Sequence, residues 1–315
     1  MSSVATPAPA VKPRRRLSLI LTRLALLALT LLLLAYFAIG ALVANTLTVP
    51  VRKPLVGNPQ ASLGLPYEDV SLTARDGTAQ LSAWYIPAPG SQRAIIFVHG
   101  KDGCRTCEFK GRALEFAGAM HGRGFSMFML DLRGHGQSGE GRFTFGLRER
   151  YDIEAAVDWL KTKGYQPGQI GLMGASMGAA SSILATANDP DIGALVADSS
   201  YADIYSILEV EFPKASRLPA FFLPATTLMG RFIIGEDIGS SRPVDAIDDI
   251  GPRPVLLIHA SGDQLIPQAH AERLAAADPQ AQLWVINGPA HVSTYPVEPQ
   301  AYVTRVADFF NNSLR

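Results

Sequence analysis

Ser176 lies at the centre of Gly174-Ala175-Ser176-Met177-Gly178, directly after an apolar run over residues 169–173 and before a small-residue stretch over residues 179–187. Strand, tight turn and helix in that order hold a serine hydroxyl out above the end of the strand, and flanking glycines let the backbone turn without Cβ clashes. A serine hydroxyl is a weak nucleophile at neutral pH; it needs a base to take its proton and an acid to orient that base. Two downstream residues can supply these. Asp263 sits in the Ser261-Gly262-Asp263 turn that closes a continuous apolar run over residues 255–260, and His291 sits in a Gly/Pro loop after a shorter run over residues 282–286. Ser176 is therefore expected as nucleophile, His291 as base and Asp263 as its orienting acid. Negative charge developing on an acyl oxygen also needs donors, each worth about 3–4 kcal/mol. The backbone N–H groups of Met177, next to the nucleophile, and of Lys101, in the loop after the run 94–98, are expected to form that oxyanion hole. The bland readings of the same residues are a helix-packing turn, a solvated turn aspartate and a loop histidine. The Lys101 side chain can be a solvated cation whatever its amide does.

The chain order Ser176, Asp263, His291 resembles that of the α/β-hydrolase superfamily, and the resemblance extends over about residues 68–313. It rests on His99-Gly100 after one strand, Asp131-Leu132-Arg133-Gly134-His135-Gly136-Gln137-Ser138 after the next, the 174–178 turn, Ser261-Gly262-Asp263, and His291. The Asp131 segment is similar to the D-x-R-G-x-G-x-S turn of that family, which implies that it shapes the back of the site and that His135 is structural. Within the superfamily the pattern looks closest to membrane-anchored serine hydrolases of the BEM46-like type, and to esterase- and peptidase-like relatives. The implied fold is α/β: a mostly parallel central sheet flanked by helices, with an N-terminal transmembrane helix and a cap insertion.

The elements needed to position these residues are legible as alternating runs. Strands are expected over residues 70–73, 81–86, 94–98, 125–130, 194–197, 255–260 and 282–286, with helices over 110–122 and 148–163. Alternation of this kind implies a parallel sheet covered on both faces. It breaks over residues 201–240, where Phe212, Phe221, Phe222, Phe232 and their aliphatic neighbours surround three prolines. That segment is expected as a cap over Ser176 lining an apolar pocket; helix packing and a membrane-facing surface are the competing readings.

Residues 24–44 are an almost unbroken apolar run, long enough as a helix to cross a bilayer core. Lys12 and Arg14 to Arg16 precede it, with Arg23 near its start able to snorkel, and only Arg52 and Lys53 follow closely. The expected organisation is a basic cytoplasmic tail over 1–16, a signal-anchor helix over 17–44, a Pro-rich linker over 45–66, and a hydrolase domain over 67–315 outside the cytoplasm. A cleaved signal peptide is the alternative.

Lys plus Arg balance Asp plus Glu at 28 each, so nothing in the charge favours nucleic acid as a partner. The only cysteines, Cys104 and Cys107, cannot complete a zinc site alone; a small disulfide, free thiols and a redox pair are their possible states. No metal or cofactor is expected. The functional expectation is a membrane-anchored serine hydrolase of an ester or thioester, acting on a small or lipid-like acyl substrate. A serine peptidase and a catalytically silent binding module are the alternatives.

Overall fold

The computed structural model describes residues 14–315, with side chains from residue 17 onward. The tail expected over residues 1–16 lies outside the described residues, except that the first helix begins at Arg14.

Eight strands make one sheet: β1 (Glu68–Thr73), β2 (Gln80–Ile86), β3 (Ala94–Val98), β4 (Ser126–Asp131), β5 (Ile170–Ala175), β6 (Ile192–Asp198), β7 (Val255–Ala260) and β8 (Gln282–Ile286). Their order across the sheet is β1-β2-β4-β3-β5-β6-β7-β8. The pairs β1–β2 and β2–β4 are antiparallel and the remainder parallel. Strands β3 to β7 are buried along their whole length, because helices cover both faces and leave no place for alternating polar residues.

The helices in chain order are α1 (Arg14–Leu47), α2 (Pro59–Leu63), α3 (Glu108–Gly111), α4 (Ala113–His121), α5 (Glu149–Thr162), α6 (Met177–Asn188), α7 (Ile204–Ser216), α8 (Leu223–Ile234), α9 (Ala269–Ala277), α10 (Thr294–Val297) and α11 (Pro299–Ser313). Helices α5, α6 and α9 pack on one face through Ile153, Ile183 and Leu274. Helices α4 and α11 cover the other through Phe116, Val306 and Phe310. The single helix expected over 110–122 is interrupted: Phe109 and Lys110 have φ of 57° and 58°, which turns the chain between α3 and α4. That strained turn keeps Glu108 pointed back at the loop after β3, where its carboxylate accepts the Gly100 N–H at 2.7 Å.

Helix α1 is the one helix among the described residues that is long and apolar enough to cross a membrane. Its residues 17–35 are exposed throughout, whereas the stretch from Tyr36 to Leu47 packs on the cap formed by α7, a short 3-10 turn (Ala220–Phe222) and α8. Gly40 makes this contact possible: a Cβ there would come within 2.7 Å of the Ala225 carbonyl carbon. Backbones meet through small residues, Gly40 and Ala44 against Ala225 and Gly230, a mode of helix pairing that does not depend on expelling water. Tyr36 donates its hydroxyl to the Phe221 carbonyl at 2.7 Å, and Arg142 clamps the helix end through the Asn45 carbonyl and the Thr48 hydroxyl.

The Pro-rich segment after α1 is strapped to the domain rather than free. Val51 N–H bonds the Asp102 carboxylate, Arg52 reaches the carbonyls of Gly136 and Ser138, and Val56 N–H bonds the Thr106 hydroxyl. Proline removes backbone donors, so these few side-chain bonds and the packing of Leu55 fix the strap.

Gly40→Leu is expected to overpack the α1–α8 contact and lower stability by about 1–3 kcal/mol. Thermal unfolding of the detergent-solubilised full chain measures it; an unchanged midpoint would mean that α1 and the cap are not packed together.

Candidate active site

β5 ends at Ala175 and α6 begins at Met177, so Ser176 must reverse the chain in one residue; it does so at φ 55° and ψ −122°, a conformation costly for a residue with a Cβ. Both flanking glycines are required by contact. A Cβ at Gly174 would lie 2.4 Å from the Gly178 carbonyl oxygen, and one at Gly178 would lie 2.4 Å from the carbonyl oxygens of Val98 and His99. The turn is held by Ser176 N–H donating to the Asp198 carbonyl at 2.8 Å, at the end of the neighbouring strand β6.

The structure brings together the three residues expected from chain order. His291 Nε2 is 2.8 Å from Ser176 Oγ, and His291 Nδ1 is 2.6 Å from Asp263 Oδ2. Asp263 has no exposed side-chain surface, and its other oxygen accepts the N–H groups of Leu265 and Ile266, both at 2.9 Å. With the carboxylate fixed by two backbone donors, Nδ1 of His291 carries the proton and donates it to Asp263. Nε2 is then free to accept from the serine hydroxyl. His291 is partly exposed, so this face of the imidazole borders the cavity.

Met177 and Lys101 both line the cavity beside Ser176. Met177 is the first residue of α6, so its N–H has no intrahelical acceptor. The Lys101 loop is pinned from several sides. His99, fully buried, donates from Nδ1 to the Gly100 carbonyl at 2.7 Å and accepts the Leu132 N–H at Nε2. His135 accepts the Asp102 N–H at 3.1 Å and donates to the Arg133 carbonyl, so it acts on the loop and not on substrate. Burial, with His135 nearby, pushes His99 down to about 4, so it stays neutral and keeps both bonds at pH 7. Cys104 and Cys107 are joined as a disulfide at the far end of the same loop. Lys101 itself pairs with Asp102 and lies over the Phe143 ring.

Several supporting residues escaped the sequence reading. Glu108 holds the Gly100 amide, and burial raises its carboxyl above the usual range despite that bond. Asp198, likewise raised by burial, accepts from Tyr302 at 2.7 Å and from Ser199 at 2.9 Å, and the Ser199 hydroxyl meets the Val292 N–H next to His291. Asp131 accepts from the backbone and guanidinium of buried Arg105 and from Gln137 N–H. Only the Asp131 turn had a sequence signal, its D-x-R-G-x-G-x-S spacing; the others are long-range contacts of ordinary residues.

Two cavities adjoin Ser176. One, of about 280 Å³, is walled by Leu47 of α1, Phe145, Tyr201, Leu265 and one face of α7. The other, of about 400 Å³, is more polar and carries Lys53, Lys101, Asp102 and Glu108. No group of three or more histidine, cysteine or acidic side chains among the described residues is arranged to hold a metal ion.

Residues 60–228 match the family of X-Pro dipeptidyl-peptidases (S15). The chain is 30% identical over 233 residues to the uncharacterized protein Rv2307c of Mycobacterium tuberculosis, covering 72% of this chain and 73% of that one. It is 31% identical over 194 residues to the uncharacterized protein YqkD of Bacillus subtilis, a match spanning 60% of this chain and 63% of YqkD, under two thirds of that relative's length. Among solved structures, the Pyrococcus furiosus esterase Pf2001 superposes with a TM-score of 0.67 at 26% identity, over 84% of this chain and 98% of the esterase. A puromycin-hydrolyzing peptidase of Mycobacterium tuberculosis shares the fold, with a TM-score of 0.62 at 18% identity over 79% of this chain and 39% of that one.

The lowered His99 gives a pH expectation. A histidine whose folded value lies below its unfolded one contributes stability that is present above about 6.5 and lost as pH falls toward about 4. In His99→Gln, which does not titrate, the deficit relative to wild type should shrink across that window by roughly 3 kcal/mol. Urea unfolding at pH 7, 5.5 and 4 reads this directly; a constant deficit would show that His99 is not held neutral.

Proposed function

The chain belongs to the X-Pro dipeptidyl-peptidase (S15) family and is a hydrolase of α/β fold; from that premise we propose that it is a membrane-anchored serine hydrolase of acyl esters or thioesters, acting through Ser176, His291 and Asp263. The relay of 2.8 Å and 2.6 Å hydrogen bonds, ending on a buried carboxylate, carries the reading. Ser176 Oγ attacks the acyl carbon while His291 Nε2 takes its proton. The N–H groups of Met177 and Lys101 take the charge on the acyl oxygen. His291 then returns the proton to the departing alcohol or thiol, leaving an ester on Ser176. Water, deprotonated by the same imidazole, cleaves that ester, releases the acid and restores the serine. A silent binding module would have no use for holding Ser176 in so costly a conformation.

The acyl group fits the apolar cavity and the leaving group the polar one. A peptidase reading is favoured by the family match. An N-terminal dipeptide, however, presents an ammonium that needs a buried acceptor, and the acidic residues beside Ser176 are already engaged: Glu211 by Lys214 at 2.6 Å, Asp102 by Lys101, and Glu108 by the Gly100 N–H at 2.7 Å. Acyl esters are therefore the preferred substrates.

Retention of the N-terminal segment as an anchor is supported by α1 packing into the cap, since its removal would uncover Leu223 and Phe212. The basic residues ahead of α1 support a cytoplasmic N-terminus with the hydrolase domain outside, where a Cys104–Cys107 disulfide is stable. An anchor ahead of the hydrolase domain also supports the BEM46-like type within the superfamily.

Ser176→Ala is expected to lower kcat at least about a thousandfold with an unchanged circular dichroism spectrum, and His291→Ala to cost a similar amount because the relay acts as a unit. A series of esters from acetyl to octanoyl should gain up to about 0.8 kcal/mol per methylene in kcat/KM until the cavity is full. Cleavage of X-Pro amides in preference to every ester would replace the esterase reading with the peptidase one.

A further inference from the structure

The apolar cavity continues past the serine. Ile204, Ile207, Leu208, Glu211, Phe212 and Ala215 line it at helical spacing, so its floor is one face of α7, running about 16 Å from beside Ser176 to the end of that helix. Ala215 is exposed, so the groove reaches the surface there, one turn before the α7–α8 turn. The composition of that turn is unusual for a water-facing tip. Phe221, 61% exposed, stacks on Tyr36 at 6.1 Å and meets the tilted Phe222 ring at 4.3 Å, with exposed Arg217 in the same turn. Aromatic rings with flanking cations are the side chains that settle at a bilayer interface.

Helix α1 fixes where that interface must be. Its uncovered stretch, residues 17–35, is about 28 Å long, close to the thickness of a bilayer's hydrocarbon core; Arg23, within it, lies near enough to the far end to snorkel to that interface, and Tyr36 is the first residue covered by the cap. The Gly40–Ala225 contact and the Tyr36–Phe221 hydrogen bond tie α1 to the cap, and Arg142 ties its end to the domain. The aromatic turn is thereby held at the level where α1 leaves the hydrocarbon.

We propose that the α7–α8 turn rests in the headgroup layer of the leaflet that α1 enters, and that the substrate is a bilayer-resident acyl ester whose chain reaches Ser176 along α7 without crossing water. This rests on the reading of Ser176 as nucleophile and α1 as a retained anchor. Tyr36, Phe221 and Phe222 form the seat; Arg217 meets lipid phosphates; Leu47, from the anchor itself, forms the opposite wall of the channel.

The test uses the full chain in nanodiscs of phosphatidylcholine and phosphatidylglycerol. Phe221→Trp should gain fluorescence that lipids brominated near the headgroup quench about twofold more than the background of the wild-type tryptophans. Phe221→Asp should lower hydrolysis of a long-chain ester dissolved in the disc about tenfold, while the rate on a water-soluble acetyl ester stays within about twofold. Fluorophosphonate labelling of Ser176 in the same discs reports the hydrolase reading separately, and absence of labelling sinks that reading. A labelled protein whose introduced tryptophan is no more quenched than background overturns the seat, whether water or a second copy of the chain covers the turn. Equal losses of Phe221→Asp on both esters overturn the lipid route.

Discussion

Everything in the site depends on one backbone turn: the chain must leave β5 and enter α6 within a single residue, and that residue must carry a side chain. Gly174 and Gly178 approach each other and the β3 end so closely that no Cβ fits at either. The strain at Ser176 is offset by the sheet on one side, through the Asp198 carbonyl, and by the first turn of α6 on the other. With the serine fixed, its partners need only arrive at the ends of β7 and β8, and the parallel sheet delivers both to the same edge.

The supporting structure then serves to hold loops at that edge. His99, His135 and Glu108 tie down the Lys101 loop, while Asp198, Tyr302 and Ser199 brace the turn that carries His291. Most of these groups are buried and hydrogen-bonded, so the order of both loops is tied to protonation at residues outside the Ser176–His291–Asp263 relay.

Much of this could be read from residues alone, and the reason is physical. Strands buried on both faces appear as continuous apolar runs, so their ends, and the residues in the following turns, can be located; Ser176 and Asp263 lie in such turns, and His291 follows the half-buried edge strand β8, whose apolar run is shorter. Glu108 gave no such signal, because its role follows from the reversal at Phe109 and Lys110, which their side chains do not announce. The Pro-rich strap read as a spacer since its bonds run to Asp102, Gly136 and Thr106, distant in sequence. The outer third of α1 read as lipid-facing for a similar reason: an apolar run does not distinguish hydrocarbon from a protein neighbour, and Gly40 alone hinted at close approach.

The central claim is that Ser176 carries the acyl group during turnover. Rapid quench of the full chain with an octanoyl ester in acid, followed by peptide mass spectrometry, measures it directly. An octanoyl adduct on Ser176 is expected, accumulating within one turnover and absent from His291→Ala. An adduct on another residue, or one on Ser176 that forms equally fast without His291, would contradict it.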